Sequence, residues 1–282
     1  MFMPAIIYIV ALVGVPFVMA FVYSLSDAKV GSTHLHFVGL HNFADVLRNP
    51  TFLRSVRNSF VFTITSQILV LIGANILALA FKDAFPGRRF LRFLILLPWV
   101  APVSIGSLGW KWILDSLYSV VSWVGVQLHI FHKFDTPMWL GEPKLAMMSV
   151  ILVHTWHMLP FATVIILAGL TAIPKDIPEA AAVDGAGFFR TLFQITIPMM
   201  LPIINVAVLF GAIFTFTDMT VIYILTRGGP YDTTQVIPSE AFFTGVLGSD
   251  LAEGATISIF LVPLLVVAAY FMLRTAHRAE VT

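Results

Sequence analysis

Residues 171–202 read TAIPKDIPEAAAVDGAGFFRTLFQITIPMMLP, and this stretch is a polar interruption between two apolar parts of the chain. The apolar runs 146–170 and 203–226 flank it, and each has about the 20 residues that a helix needs to cross a bilayer. The stretch itself contains acids, bases, glycines and four prolines. We therefore interpret it as a loop outside the membrane that joins two transmembrane helices.

Similar apolar runs occur along the whole chain of 282 residues. They predict six spans: 4–25, 58–81, 92–112, 146–170, 203–226 and 254–273. Hydrophobic residues make up 59% of the chain and charged residues only 11%, against about 25% charged residues in soluble domains. Mean hydropathy is +0.93. The sequence predicts an all-α fold, a polytopic transmembrane bundle of six helices in a single domain, 1–282, with both termini on one side.

Basic residues in the loops give little information about which side that is. The predicted topology places eight Lys and Arg on each side of the membrane. The loop 82–92 and the C-terminal tail are the short basic segments, and short basic loops favour the cytoplasmic side. The charge pattern therefore favours cytoplasmic termini only weakly.

The first half of the loop 171–202 has the pattern of a short helix. Asp176 and Glu179 have the spacing of a capping box, and three alanines of high helix propensity follow. Gly185 stands where a helix commonly ends in a left-handed residue. The small side chains would let this helix enter a groove on a partner protein, with Glu179 and Asp184 as polar contacts. The alternative is an amphipathic helix on lipid headgroups, which the scarcity of Lys and Arg disfavours.

The second half of the loop predicts another short helix, from about 188 to 197. Pro198 and Pro202 follow it, and a proline disfavours helical conformation in the residue before it. We therefore expect the prolines to limit regular continuation into the span 203–226.

The loop also resembles a known motif. The order E-A-A, three residues, G, nine residues, I, one residue, I-P resembles the EAA motif of membrane subunits of ATP-binding cassette (ABC) importers, with Ile197 in the usual Leu position. The matching residues are Glu179, Ala180, Ala181, Gly185, Ile195, Ile197 and Pro198. Segments VGLHNF at 38–43, LPW at 97–99, WKW at 110–112 and LTRGGP at 225–230 resemble the carbohydrate branch of this family.

The resemblance implies an assembly rather than a transporter that acts alone. The loop would be a cytoplasmic coupling helix that docks into an ATPase subunit, and both termini would be cytoplasmic in the inner (cytoplasmic) membrane of a bacterium or archaeon. The implied partners are a second permease in a heterodimer, two ATPase subunits, an external solute-binding protein and a carbohydrate substrate. ATP and Mg²⁺ would bind to the ATPase subunits, and this chain would bind no cofactor. The implied coupling residues are Glu179, Ala180, Ala181, Asp184, Gly185, Ile195 and Pro198.

Ionisable residues inside spans are candidates for function because they are costly in lipid. Asp218 stands in the predicted span 203–226 between Phe214, Phe216 and Tyr223, and a carboxylate among aromatic rings suits a sugar. An equally open alternative is a structural Asp that bonds a neighbouring helix or a partner subunit.

Polar residues in two other spans leave similar alternatives. His154 and His157 share one helix face near Trp156, and could line a cavity, pack structurally or, least favoured, bind a metal ion. Asn75 and Gln67 lie in the span 58–81, where a polar side chain can either contact substrate or bond another helix. We predict no metal site.

The sequence lacks several catalytic motifs and carries no sign of nucleic-acid binding. It contains no phosphate-binding G-x-x-x-x-G-K-[ST], no H-E-x-x-H and no G-x-S-x-G, and it has no cysteine. Its net charge is only +1. We therefore predict a transport subunit, not an enzyme, that forms half of a sugar pathway. The alternatives are cargo of the polyol or glycerophosphodiester type, an ion-coupled secondary transporter, or a membrane-embedded enzyme.

Overall fold

The computed structural model describes residues 2–133 and 135–280, and these residues are predominantly helical. The helices in chain order are α1 (Met3–Ser24), α2 (His41–Arg48), α3 (Pro50–Lys82), α4 (Arg88–Val100), α5 (Val103–Ile113), α6 (Val120–Gln127), α7 (Pro143–Ala172), α8 (Asp176–Val183), α9 (Phe188–Thr217), α10 (Thr220–Leu225), α11 (Ile237–Phe242), α12 (Leu251–Ile259) and α13 (Leu261–Glu280). Within the described residues, β-structure is limited to two isolated bridges. The predicted all-α fold class is confirmed.

Five stretches in the described part of the chain are long and apolar enough to cross a membrane. They are α1, α3, α7, α9 and the stretch Leu251–Phe271 formed by α12 and α13. Helices α4 and α5 together would supply a sixth span, but they bend by 96° at the break between them. The bundle therefore has up to six spans, of which the third is broken.

The predicted continuous span 92–112 is wrong, because the chain turns at Ala101 and Pro102. Ala101 adopts an extended conformation, with ψ of 142°, and α5 starts directly after Pro102. A proline disfavours helical conformation in the residue before it and offers no N–H for the preceding helical turn. The hydropathy pattern does not detect this break because both halves are apolar enough to pass as one span.

The predicted span 203–226 is wrong at both ends. Helix α9 starts at Phe188 and runs through Pro198 and Pro202 to Thr217. A π-helical turn, Leu192–Thr196, lies just before Pro198. This wider turn already departs from regular helical bonding, so the missing N–H of Pro198 costs little there. Residues 218–226 form a break and then the separate short helix α10.

The core of the bundle lies where α3, α7 and α9 meet. Small residues such as Ala74, Ala78, Ala162 and Ala207 are buried there, and a side chain at Gly73 would collide with Leu159. Small residues let helix backbones approach closely in a membrane, where apolar burial from water does not drive helices together. These close contacts fix the three helices that carry the polar network described below.

A second core cluster fixes the segment after α9. Val221, Ile222 and Leu225 on α10 pack with Phe62 on α3 and with buried residues of α7, among others. The turn that follows α10 is tied to α3 because Asn58 Nδ2 donates to the carbonyl groups of Asp232 and Gln235, at 3.1 and 3.0 Å. The break at Asp218 is therefore held on both sides by packed structure.

Candidate translocation cavity and coupling segment

Asp218 lies in the break between α9 and α10, not inside a span as predicted. Its backbone is extended, with ψ of 124°, and this conformation ends α9. Its Oδ1 accepts a hydrogen bond from the Thr220 backbone N–H, at 2.7 Å. The carboxylate thus satisfies a backbone donor at the start of α10, a common role of Asp beside a helix N-terminus.

A chain of buried polar side chains connects Asp218 to α7 and α3. His154 Nδ1 lies 3.1 Å from Asp218 Oδ2, and His154 Nε2 lies 2.9 Å from the Thr215 hydroxyl oxygen. That hydroxyl donates to the Gly211 carbonyl at 2.7 Å and accepts from Gln67 Nε2 at 2.9 Å. The His154 side chain is only 2% exposed, whereas that of Asp218 is 16% exposed. The network therefore holds the Asp218 carboxylate through Oδ2, while part of the Asp218 side chain remains exposed.

The accessible side of Asp218 faces a cavity of about 270 Å³. Its polar lining residues are Asp218, His154, His157 and Thr217, and its apolar ones are Trp99, Val103, Met158 and Phe214. Phe214 and Thr217 are exposed at this position. The cavity thus combines hydrogen-bonding groups with aromatic faces and opens at the surface of the chain.

Aromatic packing shapes one wall of this cavity. Trp99 stacks on Phe161 with ring centroids 4.7 Å apart, and Phe214 meets Phe161 edge to face at 5.8 Å. The His157 ring lies 5.6 Å from Trp99, and its Nδ1 donates to the Pro98 carbonyl at 2.7 Å. In a regular helix this carbonyl would accept from residue 102, which is a proline without an N–H. His157 therefore compensates for the broken third span.

Three predicted pathway residues lie away from this cavity. Trp156 packs against Trp110, with ring centroids 5.7 Å apart, and Tyr223 packs against Phe242 and Phe243. Asn75 Nδ2 donates to the Leu71 carbonyl of its own helix, at 2.8 Å. The structure therefore groups Asp218, Phe214 and His157 from the predicted set and separates Trp156, Tyr223 and Asn75 from them.

No metal centre is evident in the part of the chain that the structure describes. Within residues 2–133 and 135–280, no three His, Cys, Asp or Glu side chains come together in a way that could hold a metal ion. The His154 and His157 pair shares one face of α7, but its two Nδ1 atoms bond to Asp218 and to the Pro98 carbonyl.

The loop 171–202 forms helix α8 much as the sequence predicts, except at its start. The predicted capping box is wrong: the residue before the helix is Lys175 in helical conformation, and no side chain caps this end. The Glu179 N–H bonds to the Lys175 carbonyl at 3.2 Å. Asp176 is thus already inside the first turn, where its charge still suits the positive end of the helix dipole.

The predicted end of α8 at Gly185 is confirmed. Gly185 has a φ of +77°, and its N–H bonds to the Ala182 carbonyl at 3.1 Å while the Ala186 N–H bonds to the Ala181 carbonyl at 2.9 Å. This pair of bonds is the Schellman arrangement, which favours glycine at the left-handed position.

One side of α8 packs near the first turn of α9, and the rest of the helix is largely exposed. Ala181 is buried, whereas Glu179, Ala180, Ala182 and Asp184 are exposed. Val183 is 88% exposed. Ile195 and Pro198 are not part of this face, because they belong to α9, which follows α8. The helix thus presents small and apolar side chains with acids at its edges.

A match to a protein family identifies the class of protein that has this arrangement. The model of the family described as "Binding-protein-dependent transport system inner membrane component" matches residues 70–279, which include the cavity and the whole segment 171–202. The chain belongs to this family. It is a transport permease of the membrane, and the predicted ABC importer resemblance is confirmed.

Relatives of this inner membrane component include permeases of several transport systems. The chain is similar to the trehalose/maltose transport system permease protein MalF of Thermococcus litoralis, with 32% identity over 92% of this chain and 86% of that protein. It is also similar to the diacetylchitobiose uptake system permease protein DasB of Streptomyces coelicolor, with 26% identity over 99% of this chain and 86% of that protein.

A solved structure shares the fold of this inner membrane component. A chain of a bacterial ABC transporter involved in the import of the acidic polysaccharide alginate aligns with a TM-score of 0.80 and 20% identity. The alignment covers 99% of this chain and 93% of that chain.

Several residues around the cavity of this inner membrane component were not predicted from the sequence. Thr215 joins the polar network, and Trp99, Val103 and Met158 line the cavity. The spacing of Gly211, Thr215 and Asp218 places them near one helix face, a signal that could have linked Thr215 to Asp218. No comparable signal exists for Val103 and Met158, because apolar residues in spans are common.

Proposed function

We propose that this permease forms half of the translocation pathway for a carbohydrate in a binding-protein-dependent ABC importer. The proposal rests mainly on the cavity, which is lined by Asp218 and Thr217 together with Trp99 and Phe214. Sugars offer hydroxyl groups to hydrogen-bond acceptors and C–H faces to aromatic rings, so this combination suits them. One relative is named for trehalose and maltose transport and another for diacetylchitobiose uptake, and both names support carbohydrate cargo.

A second permease would complete the pathway by covering the open side of the cavity. Lipid is a poor neighbour for an accessible carboxylate such as Asp218, because a charge in hydrocarbon lacks a solvation partner. A protein surface that closes the cavity would keep the carboxylate hydrated or hydrogen-bonded. We propose that a different permease chain provides this surface, in a heterodimer.

Helix α8 would connect the permease to an ATPase subunit on the cytoplasmic side. Its exposed Ala180, Ala182 and Val183 form a low-profile surface that can enter a groove, and Glu179 and Asp184 can bond at the rim. Ile195 and Pro198 in α9 would pass a displacement of α8 to the span that ends at Asp218. With α8 on this side, both termini would be cytoplasmic. ATP and Mg²⁺ would bind to two ATPase subunits, and this chain would bind no cofactor.

The cycle would follow from rigid connections between these parts. An external solute-binding protein would deliver the sugar to the outer side. Closure of the ATPase subunits would move α8, and the packed helices α3, α7 and α9 would follow together. Motion of two bundles against each other would then open the pathway alternately to either side.

Asp218→Ala tests whether the cavity is the pathway. We expect ATP-driven sugar uptake by the reconstituted complex to fall by about tenfold, since a lost hydrogen bond to a charged group weakens binding by about 1.5–3 kcal/mol. The measurement is uptake of radiolabelled sugar into proteoliposomes. Asn75→Ala is the matched control, because it removes a polar side chain from a span away from the cavity. An unchanged uptake rate in Asp218→Ala would remove Asp218 from the pathway.

A further inference from the structure

We infer that this half of the pathway selects uncharged saccharides and rejects acidic ones, with Asp218 as the residue that sets this preference. The inference rests on the proposed function and specifies its substrate class. It also speaks against the alternative of glycerophosphodiester cargo, which carries a negative charge. The inference follows from the charges of the cavity lining and from the hydrogen bonds that its side chains already make with other protein groups.

The cavity offers no cation to a bound anion. Asp218, His154 and His157 are its ionisable lining residues, and none of the lining residues that the structure describes is Lys or Arg. The one fixed negative charge, Asp218, has a side chain that is 16% exposed. A carboxylate or sulfonate in this space would therefore meet the Asp218 carboxylate and find no unpaired cation.

His154 cannot serve as the missing cation. Its Nδ1 already faces Asp218 Oδ2 at 3.1 Å, so any positive charge on the ring is matched by that carboxylate. Its Nε2 faces the Thr215 hydroxyl oxygen at 2.9 Å, and this hydroxyl is held by Gly211 and Gln67. With the side chain only 2% exposed, both ring nitrogens are committed to protein groups.

His157 has only one nitrogen left for a ligand. Its Nδ1 lies 2.7 Å from the Pro98 carbonyl, and a carbonyl can only accept, so Nδ1 carries a proton that it donates there. In the neutral ring the remaining Nε2 is an acceptor. An acceptor suits a sugar hydroxyl and does not suit an anion.

Asp218 itself can still bind a hydroxyl group. Its Oδ1 accepts from the Thr220 N–H at 2.7 Å and its Oδ2 faces His154, but each carboxylate oxygen has a second lone pair. A neutral saccharide can donate to such a lone pair and lay a ring face on Trp99 or Phe214. An acidic saccharide would lose hydration without gaining a counter-ion, which disfavours its binding strongly.

The test compares matched neutral and acidic disaccharides on the complete permease and ATPase complex in nanodiscs, without the binding protein, whose own selectivity would mask that of the membrane cavity. The probes are maltose, trehalose and cellobiose, each with the counterpart in which one CH₂OH group is oxidised to a carboxylate. We expect each acid to bind at least about tenfold more weakly than the corresponding neutral sugar that binds. Equal binding of acid and neutral sugar would overturn the inference and leave the proposed function intact.

Two variants make the test independent of a single substitution. Thr217→Lys places one cation at the mouth of the cavity and should improve acid binding at least about tenfold, whereas Thr217→Gln, a polar control without charge, should not. Asp218→Asn removes the like charge with little change in shape and should narrow the difference between acid and neutral sugar. If neither variant changes the ratio, the charge explanation is wrong. If no neutral sugar binds and the complete importer takes up none, the proposed function fails, and the inference fails with it.

Discussion

At the scale of single residues, Gly211 is required by the polar network next to it. A side chain at Gly211 would collide with the Gln67 amide, which holds the Thr215 hydroxyl in place for His154. Glycine at position 211 in α9 thus leaves room for Gln67 of α3, which holds Thr215 and, through His154, helps to position Asp218.

Gly211→Ala should destabilise the protein by about 1–3 kcal/mol, because the displaced amide either strains its neighbours or leaves a buried group without a partner. The measurement is thermal unfolding in detergent. Gly109→Ala is the matched control, since α5 has open space at that position and alanine favours helix over glycine. Equal stability of Gly211→Ala and the unmodified protein would show that the network is not rigid.

Glu240 is a second residue whose surroundings predict a measurable effect. It lies on α11, outside the apolar spans, with 3% of its surface exposed, and its Oε2 has no hydrogen-bond partner. Burial raises the pKa of Glu240 to about 7, a hydrogen bond from Ser55 opposes this, and the nearby Glu253 and Asp232 add to it. The folded protein therefore holds the proton more tightly than the unfolded chain does.

The sign of the pH dependence follows from this raised pKa. The contribution of Glu240 to stability is fully present below about pH 4.5, its ordinary pKa, and is lost as the pH rises to about 7. Glu240→Gln should remove this loss and raise the melting temperature above pH 7. Melting curves between pH 5 and 8.5 check it, with the exposed Glu142→Gln as control. A pH profile that is the same in Glu240→Gln and the unmodified protein would contradict the assignment.

At the scale of elements, helix α8 ends where the sequence predicts, whereas the helices in the predicted spans 92–112 and 203–226 differ from the prediction. Gly185 was predictable because a left-handed residue after a helix has a strong and local preference for glycine. The bend at Ala101 and Pro102 was not predicted from hydropathy, although a proline marks it. Pro198 misleads in the opposite direction, because the π-helical turn Leu192–Thr196 lets α9 continue through it.

The site likewise has one residue that the sequence alone indicates and contacts between helices that it does not. Asp218 stands out in the sequence because a charge near a span is rare. Its partner His154 lies on α7, and Gln67, which bonds to the same Thr215 hydroxyl as His154, lies on α3. Only the packing of small residues between these helices brings the side chains together. The spacing along one helix cannot supply contacts between helices.

Gly185→Val tests the role of the end of α8. A β-branched side chain at a φ of +77° is strained by about 1–2 kcal/mol or more, so the end of α8 should rearrange. We expect sugar uptake per ATP hydrolysed to fall severalfold while the protein still inserts. The measurement is the ratio of uptake to hydrolysis in proteoliposomes.

Gly187→Val is the matched control in the same loop. Gly187 also has open space around it, but its backbone is extended, with φ of −72°, which any residue can adopt. It should leave the coupling ratio unchanged. Normal coupling in Gly185→Val would show that the conformation of this residue is not needed for contact with the ATPase.

At the scale of the whole molecule, the parts depend on one another. The cavity opens at the surface of the chain, and α8 exposes a face that packs on nothing else in the described residues. Both features agree with the proposal that this permease functions between a second permease and an ATPase subunit. Helix α9 follows α8 and belongs to the packed core of α3, α7 and α9, so under this proposal the core would connect the two features.

Whether this chain transports sugar only as part of an ATP-driven importer is tested most directly by sugar uptake into proteoliposomes. The proteoliposomes contain either the complete importer or this chain alone. The probes are radiolabelled trehalose, maltose and diacetylchitobiose, with ATP present or absent on the side of the ATPase subunits. We predict uptake of at least one sugar only by the complete importer and only with ATP. Uptake by this chain alone without ATP would contradict this prediction.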